Sequence, residues 1–328
     1  MNKMAALIKQ KDKMIQEILE LNREIVKKEP DIPGCPTKNF IQAVEKKNLE
    51  LDQLLLSIFK EQDECTGPAH FSRENTWCWG GPTPKWGGSM DRAASVKGAK
   101  YFGFDNVVYL HGPVNEDAIK LHSKCKKLLC ALSGIGRSAG AQPESDTETA
   151  ENLSKLSLEY KNIKGGIIDD LIQSYGRHYS CRDIENIYNA LKKYNSELDL
   201  YAVVYAHELD LPSVKAFEPF IDCVNLWFWL RSDLVDMDLT VEKCRHVFPG
   251  KKIMMGVFMH DYGLGAIGNT AMIIESQLKK ARQLLAAGKI NDIVILGDRE
   301  IAKYPDTAKS IKKFFVSEFR QNINKHVE

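Results

Sequence analysis

From Met4 to Ile25 apolar side chains recur at alternating intervals of three and four. Met4, Leu7, Met14, Ile18, Leu21 and Ile25 form one seam, with Lys11 its polar member. That spacing predicts a helix with a coiled-coil-like stripe. Glu29-Pro30 ends it, because the residue before proline avoids helical backbone angles. A stiff PDIPGCP connector follows. Thr37 is placed to cap a second helix, with Phe40, Val44, Leu51, Leu54 and Ile58 on one face. Residues 1–63 are therefore expected to form a helical hairpin, and residues 64–328 the main body. The hairpin reads as a packing appendage or a homodimer contact, with a lid over an active site as the sharper alternative.

Beyond residue 75 the rhythm changes. Short apolar, β-branched or aromatic runs recur: TWCWGG (76–81), NVVYLHG (106–112), KLLCALSG (127–134), GGIIDDL (165–171), LYAVVYAH (200–207), CVNLWFWL (223–230), KIMMGVFMHDY (252–262) and DIVILGD (292–298). Helical patterns such as TAENLSKLSLEY, CRDIENIYNALKKYN and TAMIIESQLKKARQLLAAG lie between them. Strand–helix alternation implies a parallel sheet, and eight units in roughly 250 residues match a (β/α)8 barrel. A doubly wound open sheet competes, but its phosphate fingerprint is missing. The nearest match, GIGRSAG at 134–140, has the wrong last spacing.

Composition narrows the class without changing the fold. The net charge is +1, so no global field draws the chain to nucleic acid or to an anionic membrane. No apolar run is long enough to span a bilayer, and the lysine-rich N-terminus lacks a secretory apolar core. None of the eight cysteines falls in a Cys-x-x-Cys pair. They are expected to be reduced thiols, and the protein to be cytoplasmic.

Barrel active sites lie at the C-terminal ends of the strands. Polar residues cluster there: His111, Asp169 and Asp170, His207 and Glu208, His260 and Asp261, and Asp298, Arg299 and Glu300. In GGIIDD side-chain alternation sends one aspartate toward the axis and the other toward the helices. Asp170 is favoured because it lies further along the strand. Strands 4 and 7 are three places apart in a ring of eight, so Asp170 and Asp261 form the expected carboxylate pair. Asp169 and Glu208 stand in reserve. Each of these residues also has a plain structural reading, as a helix cap, a turn residue or an ion-pair partner.

The stretch NTWCWGGPTPKWGG combines bulky aromatics with a broken backbone. Trp77 and Trp79 share one face of strand 1, and Trp227 and Trp229 one face of strand 6. With Trp86, Tyr205 and Tyr262 they form a candidate wall for the apolar face of a sugar ring, with core packing the plain alternative. The glycines are expected to let backbone approach the ligand. His111, His207, His260, Asp298 and Arg299 complete the expected substrate-binding set.

Two other chemistries use the same residues. His111, His207 and His260 with nearby acids could hold a divalent ion, as in metal-dependent sugar isomerases and epimerases, but no His-x-His or His-x-x-x-His spacing appears. GLGAIGN lies where barrels often bind phosphate, but no basic residue falls within it. No metal or cofactor is expected.

The eight-unit pattern, GGIIDD and the aromatic strand ends resemble (β/α)8 glycoside hydrolases. The likeness spans residues 76 to about 320 and is architectural. GGIIDDL is loosely similar to the D-x-x-D-x-D-x-E signature of the chitinase-like family. Aligned on Asp170, that signature asks for acids where this chain has Gly165, Ile168 and Ile172, so its mechanism does not carry over. The resemblance implies a carbohydrate-active enzyme, a glycosidase with a small carbohydrate substrate. A catalytically silent sugar-binding barrel is the alternative.

Overall fold

The computed structural model describes residues 3–28, 38–62, 71–133, 145–172, 179–263 and 267–325. Eight parallel strands close into a barrel. They are β1 (Thr76–Gly80), β2 (Asn106–Tyr109), β3 (Lys127–Ala131), β4 (Ile163–Ile168), β5 (Asp199–Tyr205), β6 (Cys223–Trp227), β7 (Lys252–Val257) and β10 (Asp292–Leu296). Neighbours in sequence are neighbours in space, and β10 closes the ring between β7 and β1. After β7, the two-residue strands β8 (His260–Asp261) and β9 (Ile267–Gly268) pair antiparallel. The architecture is the (β/α)8 barrel expected from the strand–helix rhythm.

Eleven helices are described. The hairpin is α1 (Lys3–Lys28) and α2 (Lys38–Glu61). Around the barrel lie α3 (Ala94–Phe102), α4 (Glu116–Leu121), α5 (Asp146–Leu156), α6 (Cys181–Lys192), α7 (Pro212–Ala216), α8 (Met237–Val247), α9 (Ala271–Ala286), α10 (Glu300–Lys303) and α11 (Pro305–Lys325). Local chemistry sets several starts. Ser145 with Glu148, and Ser180 with Asp183, form reciprocal capping boxes, and the Thr270 hydroxyl accepts from the Ile273 amide. Gly288, at φ 65°, stands just past the end of α9, where a glycine readily takes the left-handed backbone. No helix among the described residues is long and apolar enough to cross a membrane.

The strands are buried on both faces, which explains their near-continuous apolar runs. Inward residues form one cluster that includes Trp77, Trp79, Val108, Leu129, Ile167 and Trp227. Outward residues such as Cys78, Val107 and Leu128 pack under the helices. Gly256 on β7 gives Trp227 its space, since a Cβ there would run into the indole ring. Each predicted strand runs past the observed one. NVVYLHG stops pairing at Tyr109, GGIIDDL at Ile168 and CVNLWFWL at Trp227. The residues beyond these points leave the sheet and build the mouth.

The hairpin helices are antiparallel, since Lys3 meets Glu61 at 2.6 Å and Lys47 meets Glu17 at 2.7 Å. Ile18, Leu51, Leu55 and Ile58 are fully buried and belong to the same apolar cluster as the outer barrel core. The polar member of the seam, Lys11, is 6% exposed, and its ammonium lies 3.3 Å from Asp236 of the barrel. Thr37 lies outside the described residues.

Candidate functional site

A cavity of about 170 Å³ opens at the C-terminal ends of the strands. One wall is the end of β4. Alternation from Ile167 turns Asp169 inward. It should turn Asp170 outward, yet Asp170 also lines the cavity. The reason is its backbone: Asp170 has φ 50°, in the left-handed region, and this reverses its direction. His111, after β2, does the same at φ 62°. Both non-glycine residues with positive φ among the described residues therefore face this one cavity. Left-handed backbone costs about 1–2 kcal/mol for a side-chain-bearing residue, and such outliers concentrate at functional sites.

The two β4 carboxyls have different surroundings. Burial holds Asp169 well above the usual carboxylate range, and the neighbouring Asp170 charge adds to this. Burial also raises Asp170, but the Tyr205 hydroxyl donates to its Oδ1 at 2.6 Å and opposes the shift. A donor on the charged form favours ionisation.

Opposite stands the end of β10, four strands from β4 in either direction around the ring. It contributes Asp298, Arg299 and Glu300. Burial, then the hydrogen bond and charge of Glu300, push Asp298 up to about 9. Burial also pulls Glu300 upward, but Asp298 and Arg299 together outweigh it and leave Glu300 below its ordinary value. The Arg299 Nε donates to Glu300 Oε1 at 2.7 Å. The two neighbouring carboxyls are thus shifted in opposite directions, Asp298 up and Glu300 down. Tyr262 lies between the two walls and feels the charge of Glu300 and Asp298 on one side and of Asp169 on the other.

Aromatic rings make the remaining walls. Trp229 stacks on Tyr262 with centroids 4.7 Å apart, and Tyr205 meets Trp229 edge-on at 5.1 Å. Trp79 meets Trp227 edge-on at 5.3 Å, and Phe258 lies against Trp227 at 4.3 Å. Phe258 was legible in principle, two residues along the inward face of β7 from Gly256. Glu300, one of the polar residues expected after the last strand but outside the expected substrate-binding set, lines the cavity beside Asp298.

Other expected residues lie elsewhere. Trp77 sits at the opposite, N-terminal end of the barrel, where its indole N–H donates to Asp292 at 2.8 Å. Asp261 is 1% exposed and does not line the cavity; its Oδ2 accepts from the Arg231 amide at 3.0 Å. Glu208 is buried behind the mouth. Its Oε2 accepts from the Tyr205 amide at 2.9 Å, and burial raises it to about 7. His207 stacks on Tyr205 outside the lining. His260 is packed between Tyr262 and Tyr304, and burial lowers it to about 4. The side chain of Trp86 lies outside what is described. The glycines after β1 have a packing reason rather than a ligand-facing one. A Cβ on Gly80 would come within 2.9 Å of Asp298 Cβ, and one on Gly81 would strike the Leu110 carbonyl. Among the described residues no group of three or more His, Cys, Asp or Glu side chains is arranged to hold a metal ion.

No protein-family model matches the chain, and a search of curated proteins finds no match. Solved structures do match. Concanavalin B is 10% identical, with TM-score 0.48, covering 73% of this chain and 98% of its own. The Bacillus cereus spore cortex-lytic enzyme SleL is 12% identical, with TM-score 0.47, over 78% of this chain and 76% of its own. A family GH18 chitinase from Chromobacterium violaceum is 12% identical, with TM-score 0.46, over 77% of this chain and 86% of its own. Most of the structural neighbours are glycoside hydrolases built on an eight-stranded parallel barrel. The likeness is one of barrel architecture.

Proposed function

We propose that the chain is a glycoside hydrolase whose proton donor is Asp298 and whose second carboxylate is Asp170. The observation that carries the reading is that two unlike carboxyl groups, beyond the ends of opposed strands, line one aromatic-walled cavity. In this reading Asp298 and Glu300 share one proton, held on Asp298, because burial and then the hydrogen bond and charge of Glu300 disfavour its ionisation. Asp170 has a hydroxyl donor aimed at its carboxylate form. Glycoside cleavage needs this division of labour. Asp298 gives its proton to the leaving oxygen as the glycosidic bond breaks. Asp170 attacks the anomeric carbon or takes a proton from the attacking water. Arg299 offsets the negative charge that builds up beside Glu300 once the proton has left. Trp229, Tyr262 and Trp79 offer flat faces to the C–H side of a sugar ring. The reading moves the acid partner from Asp261, whose carboxylate is engaged by a backbone amide, to Asp298.

The test is sugar release from a panel of chromogenic glycosides and oligosaccharides, with wild-type protein and Asp298→Asn. Wild type should hydrolyse at least one. Asp298→Asn should slow that turnover by at least about 100-fold, since general acid work contributes typically 10²–10⁴-fold. Substrates with good leaving groups should suffer least. Sugar binding without release by wild type would overturn the hydrolase reading and leave a binding barrel.

A further inference from the structure

We infer that the N-terminal hairpin is the footing of the substrate wall: Asn48 and Asp52 on α2 hold Arg231, and through it fix Trp229 and Tyr262 for stacking on a ligand. The inference rests on the proposed function in assigning those rings to a ligand. It begins with a charge in an unexpected place. Arg231 follows β6 at the barrel mouth and is 2% exposed. A buried guanidinium left without partners costs several kcal/mol.

The partners of its guanidinium come from the hairpin. Nη2 donates to the Asn48 side-chain oxygen and, at 3.3 Å, to the Asn48 carbonyl. Nε faces Asp52 Oδ1 at 3.0 Å. Asn48 and Asp52 are themselves 5% and 6% exposed and one helical turn apart, so both point at the same spot. Two further ties hold the hairpin to the same barrel segment. Lys11 reaches Asp236 at 3.3 Å, and Gln62 Nε2 donates to the Val235 carbonyl at 2.9 Å.

From Arg231 the linkage runs into the aromatic wall in two short steps. The Arg231 amide donates to Asp261 at 3.0 Å, and Asp261 precedes Tyr262. The Tyr262 amide donates to the Trp229 carbonyl at 3.2 Å, and Trp229 lies two residues before Arg231. Backbone and carboxylate thus close a small ring of bonds between the two loops. The loops are also interlocked sterically, because a Cβ on Gly263 would strike Leu230 and come within 3.2 Å of Trp229. One side of this unit, Arg231 and Asp261, is turned to the hairpin and buried. The other side, Trp229 and Tyr262, lines the cavity. Trp229 in turn abuts Tyr205, the residue that holds Asp170. Asn48, Asp52, Arg231 and Asp261 are positioning residues; none of them lines the cavity.

The test uses the full chain and three variants. Asp52→Asn removes the charge facing Arg231. Asn48→Ala removes one acceptor and keeps the inference testable if the first variant folds poorly. Lys47→Ala is the control, since Lys47 sits on α2 but pairs with Glu17 inside the hairpin. With a hydrolysed oligosaccharide, Asp52→Asn and Asn48→Ala should raise KM about tenfold, an aromatic-stacking loss, with kcat nearly unchanged. Amide hydrogen exchange should rise at residues 229–231 and 260–263. Lys47→Ala should change neither. A lowered melting temperature with unchanged KM and unchanged exchange in those two loops would overturn the inference. If wild type hydrolyses no sugar, the proposed function falls. The exchange measurement then decides the footing by itself, and unchanged exchange would sink it.

Discussion

The two ends of the barrel use the same kinds of residue to opposite effect. Trp77 and Trp79 lie on one face of β1, two residues apart; Trp77 bonds Asp292 at the start of β10, and Trp79 lines the same cavity as Asp298 after its end. At the closed end the Trp77 indole donates to Asp292, Lys127 lies 5.9 Å from the indole centroid, and Lys252 pairs with Asp199 at 2.7 Å. Burial raises Asp292, but Trp77, Lys127 and Lys252 all oppose it. At the open end Asp298 is set against another carboxyl, and Asp169 against Asp170. One end neutralises its acids with donors and cations. The other sets carboxyl beside carboxyl on both walls, with one donor, Tyr205, on Asp170, one cation, Arg299, on Glu300, and left-handed backbone at Asp170. An arrangement that works against folding is where catalytic demand is expected to show.

The comparison breaks most decisively at Asp170. Asp170→Asn should lower turnover by at least about 100-fold, while sugar binding survives and melting shifts little. A destabilised variant with near-normal turnover would return Asp170 to the structural side of the comparison.

At the closed end the pattern should invert. Asp292→Ala leaves the buried Trp77 N–H without its acceptor and should cost about 1–3 kcal/mol of stability, read by denaturant unfolding. The folded fraction should turn over substrate normally. A large loss in kcat at unchanged stability would mean that the two ends are not functionally distinct.

The pH profile sharpens the contrast with a smaller effect. In the proposed mechanism Asp298 works in its protonated form, and burial, then Glu300, raises its pKa to about 9. The value of kcat/KM should therefore hold below that pH and fall as pH rises through it. Replacement of Glu300 by Gln removes the neighbouring charge, so the alkaline limb should move to lower pH. A limb that stays in place would remove Glu300 from the proton-sharing pair.

The smallest effect is expected at Glu208, behind the mouth. Its folded-state pKa of about 7 lies above the ordinary 4.5, so folding favours the protonated form. That contribution is fully present below the unfolded value and is lost as pH rises through about 7. Glu208→Gln should narrow the difference in melting temperature between pH 5 and pH 8. An unchanged difference would show that Glu208 does not titrate in that range.

Much of the fold was legible because its signals are local. Runs such as NVVYL and DIVIL are apolar on both faces, and helical patterns such as CRDIENIYNALKKYN lie between such runs. The rule that barrel sites follow the strands points to the end of the molecule where the cavity opens. Residue choice within that end was less legible. Asp170 lines the cavity because of one positive φ, which alternation does not foresee. Asp261 sits at the end of a strand as a catalytic acid would, but the Arg231 amide engages it. Trp77 and Trp79 share a face, so periodicity alone does not assign one to the closed end and one to the mouth.

The sequence by itself determined a hairpin with an apolar seam and eight strand–helix units that close into a parallel barrel. It also determined a supply of acids and aromatics beyond the strand ends. These follow from periodicity, capping and chain length, which act between residues close in sequence. The tertiary structure alone decided that Asp298 and Glu300 line one cavity opposite Asp170. It also decided that Lys11, Asn48 and Asp52 face the barrel, and that Arg231 joins the hairpin to the mouth. Those facts depend on groups far apart in sequence meeting where water is scarce, and there a charge is set by its neighbours in space.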